Sequence, residues 1–311
     1  MPDTVVVVAP SPILTVTIED RAGEPDIHVH AGGQGVWQAR MISTLGVPVV
    51  FCAGLGGETG DVLGHLIPGE DVTLRSVHVG ARNGAYVHDR RNGDREVVAQ
   101  APGGAMDRHE QDAFYELALA ESLRHGFALL SGPHDDRVLP AELYARLAAD
   151  LTANGVAVAA DLSGERLSAV LAGQPVLVKV SHEEVVEDGI AEGGSPDELV
   201  AAMRRLRKEG AGTVVVSRAD EPALALVEDD VVVIEVPPLR PVESKGAGDS
   251  MTAGMVATLA RGRPVRDALR VGAACGALNV VHRGLGSGGA EAVDALVELV
   301  ELRPWTGEGK P

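Results

Sequence analysis

Residues 246–250 read Gly-Ala-Gly-Asp-Ser and lead into small and apolar residues at helical spacing over 251–262. A helix start exposes unpaired backbone N–H groups and carries partial positive charge, so it binds anions, and glycines let phosphate oxygens come close. Asp249 stands at the mouth of such a site. Its carboxylate can take the proton of an attacking hydroxyl while the amides of Gly246, Ala247 and Gly248 hold charge on a transferred phosphoryl group. On spacing alone a simple N-terminal cap explains the same acid equally well.

Such a turn must be carried by strands and helices. Aromatics make up only 3% of the 311 residues, so the core is built from Val, Leu and Ala, as in VVVV at 5–8 and TVVVS at 213–217. Apolar runs of this kind suit parallel strands buried on both faces. Strand and turn at 127–133, a helix over 139–155 ending in Asn154-Gly155, strands at 156–164 and 175–181, and a capped helix before 213–217 alternate in order. That order predicts an α/β fold, a doubly wound, mostly parallel sheet with helices on both faces, as a single domain over 1–311. Residues 13–30 and 76–99 instead alternate apolar with polar around glycine-rich turns. They read as antiparallel strand pairs, either a small β-sheet lid or surface hairpins without a role. The tail at 305–311 is expected to be disordered.

Charge narrows the partners. Lys plus Arg number 27 against 45 Asp plus Glu, a net −18, which disfavours nucleic acid. No apolar run approaches the roughly 18 residues of a membrane helix, and the first residues, MPDT, lead into no signal-like stretch, so a cytoplasmic protein is expected. Cys52 and Cys275 form neither a disulfide framework nor a metal cluster and read as buried thiols.

Several separated segments together resemble the ribokinase-like (PfkB) carbohydrate kinases: GAGD at 246–249 before a helix, AGGQGVWQARMISTLG at 31–46, and GLGGETGDVLGHLI at 54–67. DLSGERL at 161–167 and LVKVSHEE at 177–184 are most similar to the 1-phosphofructokinase and tagatose-6-phosphate kinase branch. The resemblance implies the ribokinase-like fold, ATP and Mg2+ as cofactors, Asp249 as base, and the amides of Gly246, Ala247 and Gly248 as anion hole. It implies that Lys179 and Ser181 meet the phosphates of ATP, with Glu184 reaching magnesium through water. Ser217, Arg218 and Asn279 belong to the nucleotide end by the same likeness. On the acceptor side it implies Gly32, Gly33, Gln34, Trp37 and Arg82, and pairing of two copies through their lids.

Departures from the family pattern fall on both ends of the site. In the nucleotide loop SRADEPAL, at 217–224, Ala219 and Pro222 replace glycines. Alanine resists positive φ and proline removes an N–H, so a remodelled loop is expected. On the acceptor side Ile13, Gln34 and Trp37 replace an aspartate, a lysine and an asparagine. Losing three polar contacts redirects specificity, while Trp37 offers a flat face for stacking or fills core space. The expected activity is ATP-dependent phosphoryl transfer to a small-molecule alcohol: a sugar, a sugar phosphate, a nucleoside or a cyclitol. A catalytically weak homologue that binds a metabolite or partner is the alternative. A dinucleotide enzyme is disfavoured, because the glycine clusters at 54–57 and 284–289 open no early βαβ unit.

Overall fold

The computed structural model describes residues 4–93, 95–133, 135, 137–242, 245–282, 286 and 288–307. The chain runs β1 (Val5–Val8), β2 (Ile13–Arg21), β3 (Glu24–Gly32), α1 (Gln34–Thr44), β4 (Val49–Leu55), α2 (Gly57–Leu66) and β5 (Val72–His78). Next come β6 (Ala85–Asp89), β7 (Glu96–Ala101), α3 (Arg108–His125), β8 (Phe127–Ser131), α4 (Ala141–Ala153), β9 (Ala157–Asp161), α5 (Gly164–Leu171) and β10 (Leu177–Ser181). The remainder is α6 (His182–Glu187), α7 (Pro196–Glu209), β11 (Thr213–Arg218), β12 (Glu221–Val227), β13 (Asp230–Glu235), α8 (Ala247–Ala260), α9 (Val265–Val280), α10 (Ala290–Val297) and β14 (Glu301–Pro304).

Among the described residues ten strands form one sheet in the order β14-β13-β12-β11-β10-β9-β8-β1-β4-β5. From β11 to β5 every neighbouring pair is parallel, and β12, β13 and β14 extend the edge antiparallel. Alternate side chains of one strand feed opposite cores, as period-two geometry requires. Val6 and Val8 pack into the layer with Phe114, Tyr144 and Leu199, whereas Val5 and Val7 face the layer with Ile42, Met255 and Leu269. Helices therefore cover both faces. Cys52 and Cys275 are free and buried, one in each layer, and burial, the first cause, pushes each thiol up to about 12. Among the described residues no helix is long and apolar enough to cross a membrane.

Chain order reverses beside β1, which has β8 on one side and β4 on the other. In open α/β sheets a cleft forms outside the carboxyl ends of strands at such a switch point. Over it lies a second sheet in the order β3-β2-β6-β7. Each hairpin is antiparallel, and the two are joined by a parallel pairing from Leu14↔Ala85 to Ile18↔Asp89.

The structure revises two boundaries. Residues 72–78 belong to the main sheet, paired with β4 from Val49↔Val72 to Leu55↔His78, so the second lid hairpin is β6 and β7. At the other end, Trp305 is not a loose tail: its N–H donates to the Val231 carbonyl at 2.9 Å and its ring packs on the core. Residues 308–311 lie outside the described residues.

Candidate active site

A cleft of about 540 Å³ opens between the carboxyl ends of the parallel strands and the lid. Its floor comes from Ala9, Ser11 and Pro12 after β1, Gly132 and Pro133 after β8, and Leu162 and Ser163 after β9. One wall is the start of α1 from Gly33 to Trp37; the lid supplies Ile13, Thr15, Tyr86, Val97 and Gln100.

Helix α8 begins beside this cleft. Gly246 takes φ 76 at its cap, a left-handed conformation that glycine adopts without strain, and no side chain caps the helix. Asp249 is thus not the cap; it lies in the first turn, half-buried, with the leading amides free to meet an anion. Gly248 is required by close approach, since a Cβ there would stand 2.6 Å from Lys179 Nζ.

Beneath that turn Asp161, the last residue of β9, ties the site together. Its Oδ2 accepts from Gln38 Nε2 at 2.8 Å and from Thr252 Oγ1 at 2.6 Å, and its Oδ1 lies 3.6 Å from Lys179 Nζ. Thr252 is one turn after Gly248 on α8 and also donates to the Gly248 carbonyl at 3.1 Å. One buried carboxylate therefore fixes α1, α8 and β10 relative to one another. Sequence reasoning assigned none of Asp161, Gln38 or Thr252 a role. A signal existed: an acid closing the apolar strand VAVAAD demands buried partners, and Gln38 follows Gln34 by four residues on one helix face.

Electrostatics follow from this packing. Burial, then the neighbouring Asp161 and Glu184, push the Asp249 carboxyl up to about 7 against the opposing pull of Lys179. Burial alone lowers the Lys179 ammonium, but Asp161, Asp249 and Glu184 outweigh it and hold the group above its ordinary value. Lys179 stays charged while Asp249 is poised to exchange a proton near neutrality.

At the nucleotide end, Ser181 and Ser217 stand side by side at the ends of β10 and β11. Ser181 caps α6: its Oγ accepts from Glu184 N at 3.2 Å, and its N–H donates to Glu184 Oε2 at 2.7 Å. Asparagine is absent there, yet serine is a good cap. Arg218 is tied across its own hairpin to Glu221 Oε2 at 2.8 Å and the Pro222 carbonyl at 3.2 Å. Ala219 takes φ 53 in the two-residue turn between β11 and β12, holding the left-handed conformation at some strain. Asn279 is fully buried; its amide donates to the Lys245 carbonyl at 2.7 Å, and its oxygen accepts from Ser250 Oγ at 3.1 Å and Gly286 N at 3.0 Å. It meets the site through the loops it holds.

On the acceptor side, Gly32 ends β3 and Gly33 starts α1 at φ 99. Gln34 Nε2 donates to the Asp161 carbonyl at 3.1 Å, and Ile13 and Trp37 line the cleft as apolar surface. Arg82 is exposed beside Gly57. Its neighbour explains this. Buried Asn83 accepts from Gly56 N at 2.9 Å and donates to the Pro12 and Gly54 carbonyls at 3.1 Å, which pins the turn and leaves Arg82 outside. Three cations, Arg95, Arg166 and Lys245, line the cleft, and nothing in the sequence pattern singled them out.

The glycine cluster at 54–57 is filled by the chain itself, since a Cβ on Gly56 would lie 2.1 Å from the Val79 carbonyl oxygen. In the cluster at 284–289, Gly284, Leu285 and Ser287 lie outside the described residues. Among the described residues no group of three or more His, Cys, Asp or Glu can hold a metal by itself. Glu184, with one oxygen engaged in its cap, suits a magnesium ion held mainly by water and phosphate oxygens.

Comparison with known proteins identifies the family. The model of the pfkB family of carbohydrate kinases matches residues 11–292. The 1-phosphofructokinase of Bacillus subtilis is 27% identical over 273 residues, 88% of either chain. The ATP-dependent 6-phosphofructokinase isozyme 2 of Escherichia coli is 29% identical over 257 residues, 81% of this chain and 82% of that protein. The crystal structure of phosphofructokinase-2 from Escherichia coli in complex with potassium is similar at a TM-score of 0.81 and 26% identity, over 96% of this chain and 99% of that one.

Proposed function

This chain belongs to the pfkB family of carbohydrate kinases and is an ATP-dependent small-molecule kinase with an alcohol acceptor, and we propose that Asp249 is its general base. The observation that carries this is the position of Asp249 in the first turn of an uncapped helix, with Lys179 Nζ packed under Gly248. The acceptor oxygen bonds to phosphorus as its proton passes to Asp249, and the bond from phosphorus to the leaving oxygen of the nucleotide breaks. The amides at Gly246, Ala247 and Gly248, with Lys179, hold the negative charge of the transferred group in place.

Lys179, Ser181 and Ser217 face the nucleotide end, and Arg218 and Asn279 shape the loops around it. Glu184 would hold a magnesium ion through water, and such an ion would neutralise phosphate charge. Gly32, Gly33, Gln34 and Trp37 form the acceptor wall. The whole chain is read as one kinase domain with its lid, working in the cytoplasm. Ile27, Val29 and Val98 are exposed on the lid, an apolar surface suited to pairing with a second copy; a strictly monomeric species in sedimentation at micromolar concentration contradicts that pairing.

The test is ATP-dependent transfer across a panel of sugars, sugar phosphates, nucleosides and cyclitols. Absence of both transfer and ATP binding overturns the reading.

A further inference from the structure

Two neutral side chains that no sequence pattern singles out converge on one oxygen atom. Asp161 Oδ2 accepts from Gln38 Nε2 at 2.8 Å and from Thr252 Oγ1 at 2.6 Å, and all three residues are buried. Gln38 lies on α1, one turn after Gln34 in the acceptor wall, and Thr252 lies on α8, three residues after Asp249. The wall that presents the hydroxyl and the helix that carries the base are therefore tied to a single atom at the end of β9. The other oxygen of the same carboxylate lies 3.6 Å from Lys179 Nζ.

Packing alone does not call for these two residues. Gln38 Oε1 is buried without a hydrogen-bond partner, and an orphaned buried acceptor costs stability that an apolar side chain of similar size avoids. One turn further along the same two helices, Ile42 and Met255 fill the layer with apolar groups. What the polar pair adds is a fixed direction for the Asp161 carboxylate, held by two donors at one oxygen and facing an ammonium with the other. The charges that bear on Asp249 come from Asp161 on β9, Lys179 on β10 and Glu184 on α6, with Asp161 the strongest; Arg40 of α1 and Arg266, Asp267 and Arg270 of α9 are not among them. The carboxylate that Gln38 and Thr252 hold is thus the one that acts most on the base.

We propose that Gln38 and Thr252 are positioning residues for phosphoryl transfer: acting through Asp161, they hold the acceptor wall of α1, the Lys179 ammonium and the Asp249 turn of α8 in one register. This deepens the reading of Asp249 as general base and rests on it. Steady-state kinetics with ATP and the best acceptor of the panel are compared for the parent, Thr252→Val, Thr252→Ser and Gln38→Leu between pH 5.5 and 8.5, with Tm recorded for each. Thr252→Val keeps the shape and removes the donor; it should lower kcat roughly 10-fold, the scale of a small displacement at a preorganised site, with both KM values little changed. Gln38→Leu should do the same. In both variants the rise of kcat/KM should move to lower pH, because a carboxylate free to turn away raises Asp249 less. Thr252→Ser keeps the hydroxyl and should restore most of kcat and the parent profile. If Thr252→Val does not fold, Gln38→Leu carries the test, since it removes an orphaned oxygen along with the donor. A lowered Tm with the kcat and pH profile of the parent overturns the proposal, as does a loss confined to KM or a Thr252→Ser enzyme as slow as Thr252→Val. The base reading fails separately, on an Asp249→Asn enzyme as fast as the parent. An inactive Asp249→Asn enzyme beside fully active Thr252→Val and Gln38→Leu enzymes overturns only the positioning role.

Discussion

Lys179 and Asp161 form a buried ion pair, Nζ to Oδ1 at 3.6 Å, directly beneath the helix turn that carries Asp249. Gln38 and Thr252 donate to the other oxygen of Asp161. Lys179 thereby remains a cation at the point where phosphoryl charge is transferred. Removing it strands a buried carboxylate, so Lys179→Met should cost about 3–5 kcal/mol of stability in urea unfolding and abolish turnover. If that variant is as stable as the parent, Asp161 is not dependent on the pair.

The raised Asp249 carboxyl sets a pH dependence. A base must be ionised, so kcat/KM should rise with pH through about 7, the value that burial and Asp161 impose on this group. A flat profile between pH 5.5 and 8.5, with binding and folding intact, contradicts the assignment.

The same shift has the opposite sign for stability. A carboxyl raised in the folded state favours folding fully below its unfolded pKa, and this contribution is lost as pH rises toward about 7. Asp249→Asn, which cannot ionise, should therefore have a higher Tm than the parent at pH 8, and the gap should close near pH 4. An unchanged Tm at pH 8 means the carboxylate is better solvated than its packing indicates.

Gly248 is a steric requirement. Gly248→Ala puts a Cβ 2.6 Å from Lys179 Nζ, which forces a buried ammonium to move. Turnover should fall by at least about 10-fold, since small displacements at a preorganised site are costly, while overall folding survives. Full activity in this variant shows that Lys179 has room to shift.

Ala219 holds φ 53 where alanine is strained. Ala219→Gly relieves that strain at the expense of chain entropy, and a net gain of up to about 1 kcal/mol in denaturant unfolding is expected. The KM for ATP should be unchanged, because the turn already has its final shape.

Much of this was legible from local pattern. The valine runs announced buried parallel strands, and the Gly-Ala-Gly turn announced an anion-binding helix start, because both signals lie within a few consecutive residues. Contacts distant in sequence were not legible. Asp161 meets Thr252 across 91 positions and Gln38 across 123, a relation that neither spacing nor composition encodes. The exposed place of Arg82 was not legible either, because it depends on Asn83, whose three side-chain hydrogen bonds are made to segments 27 to 71 residues away. The positive φ of Ala219 was not legible for another reason: the tight hairpin outweighs the local preference of alanine.

The central claim is that Asp249 takes the proton of an alcohol as ATP gives up its terminal phosphate. Its most direct measurement is acceptor-dependent transfer from γ-labelled ATP, compared between the parent and Asp249→Asn on the best acceptor of the panel. The account predicts a loss of roughly 10² to 10⁴ in kcat, with KM values for both substrates little changed. An Asp249→Asn enzyme that turns over as fast as the parent contradicts it.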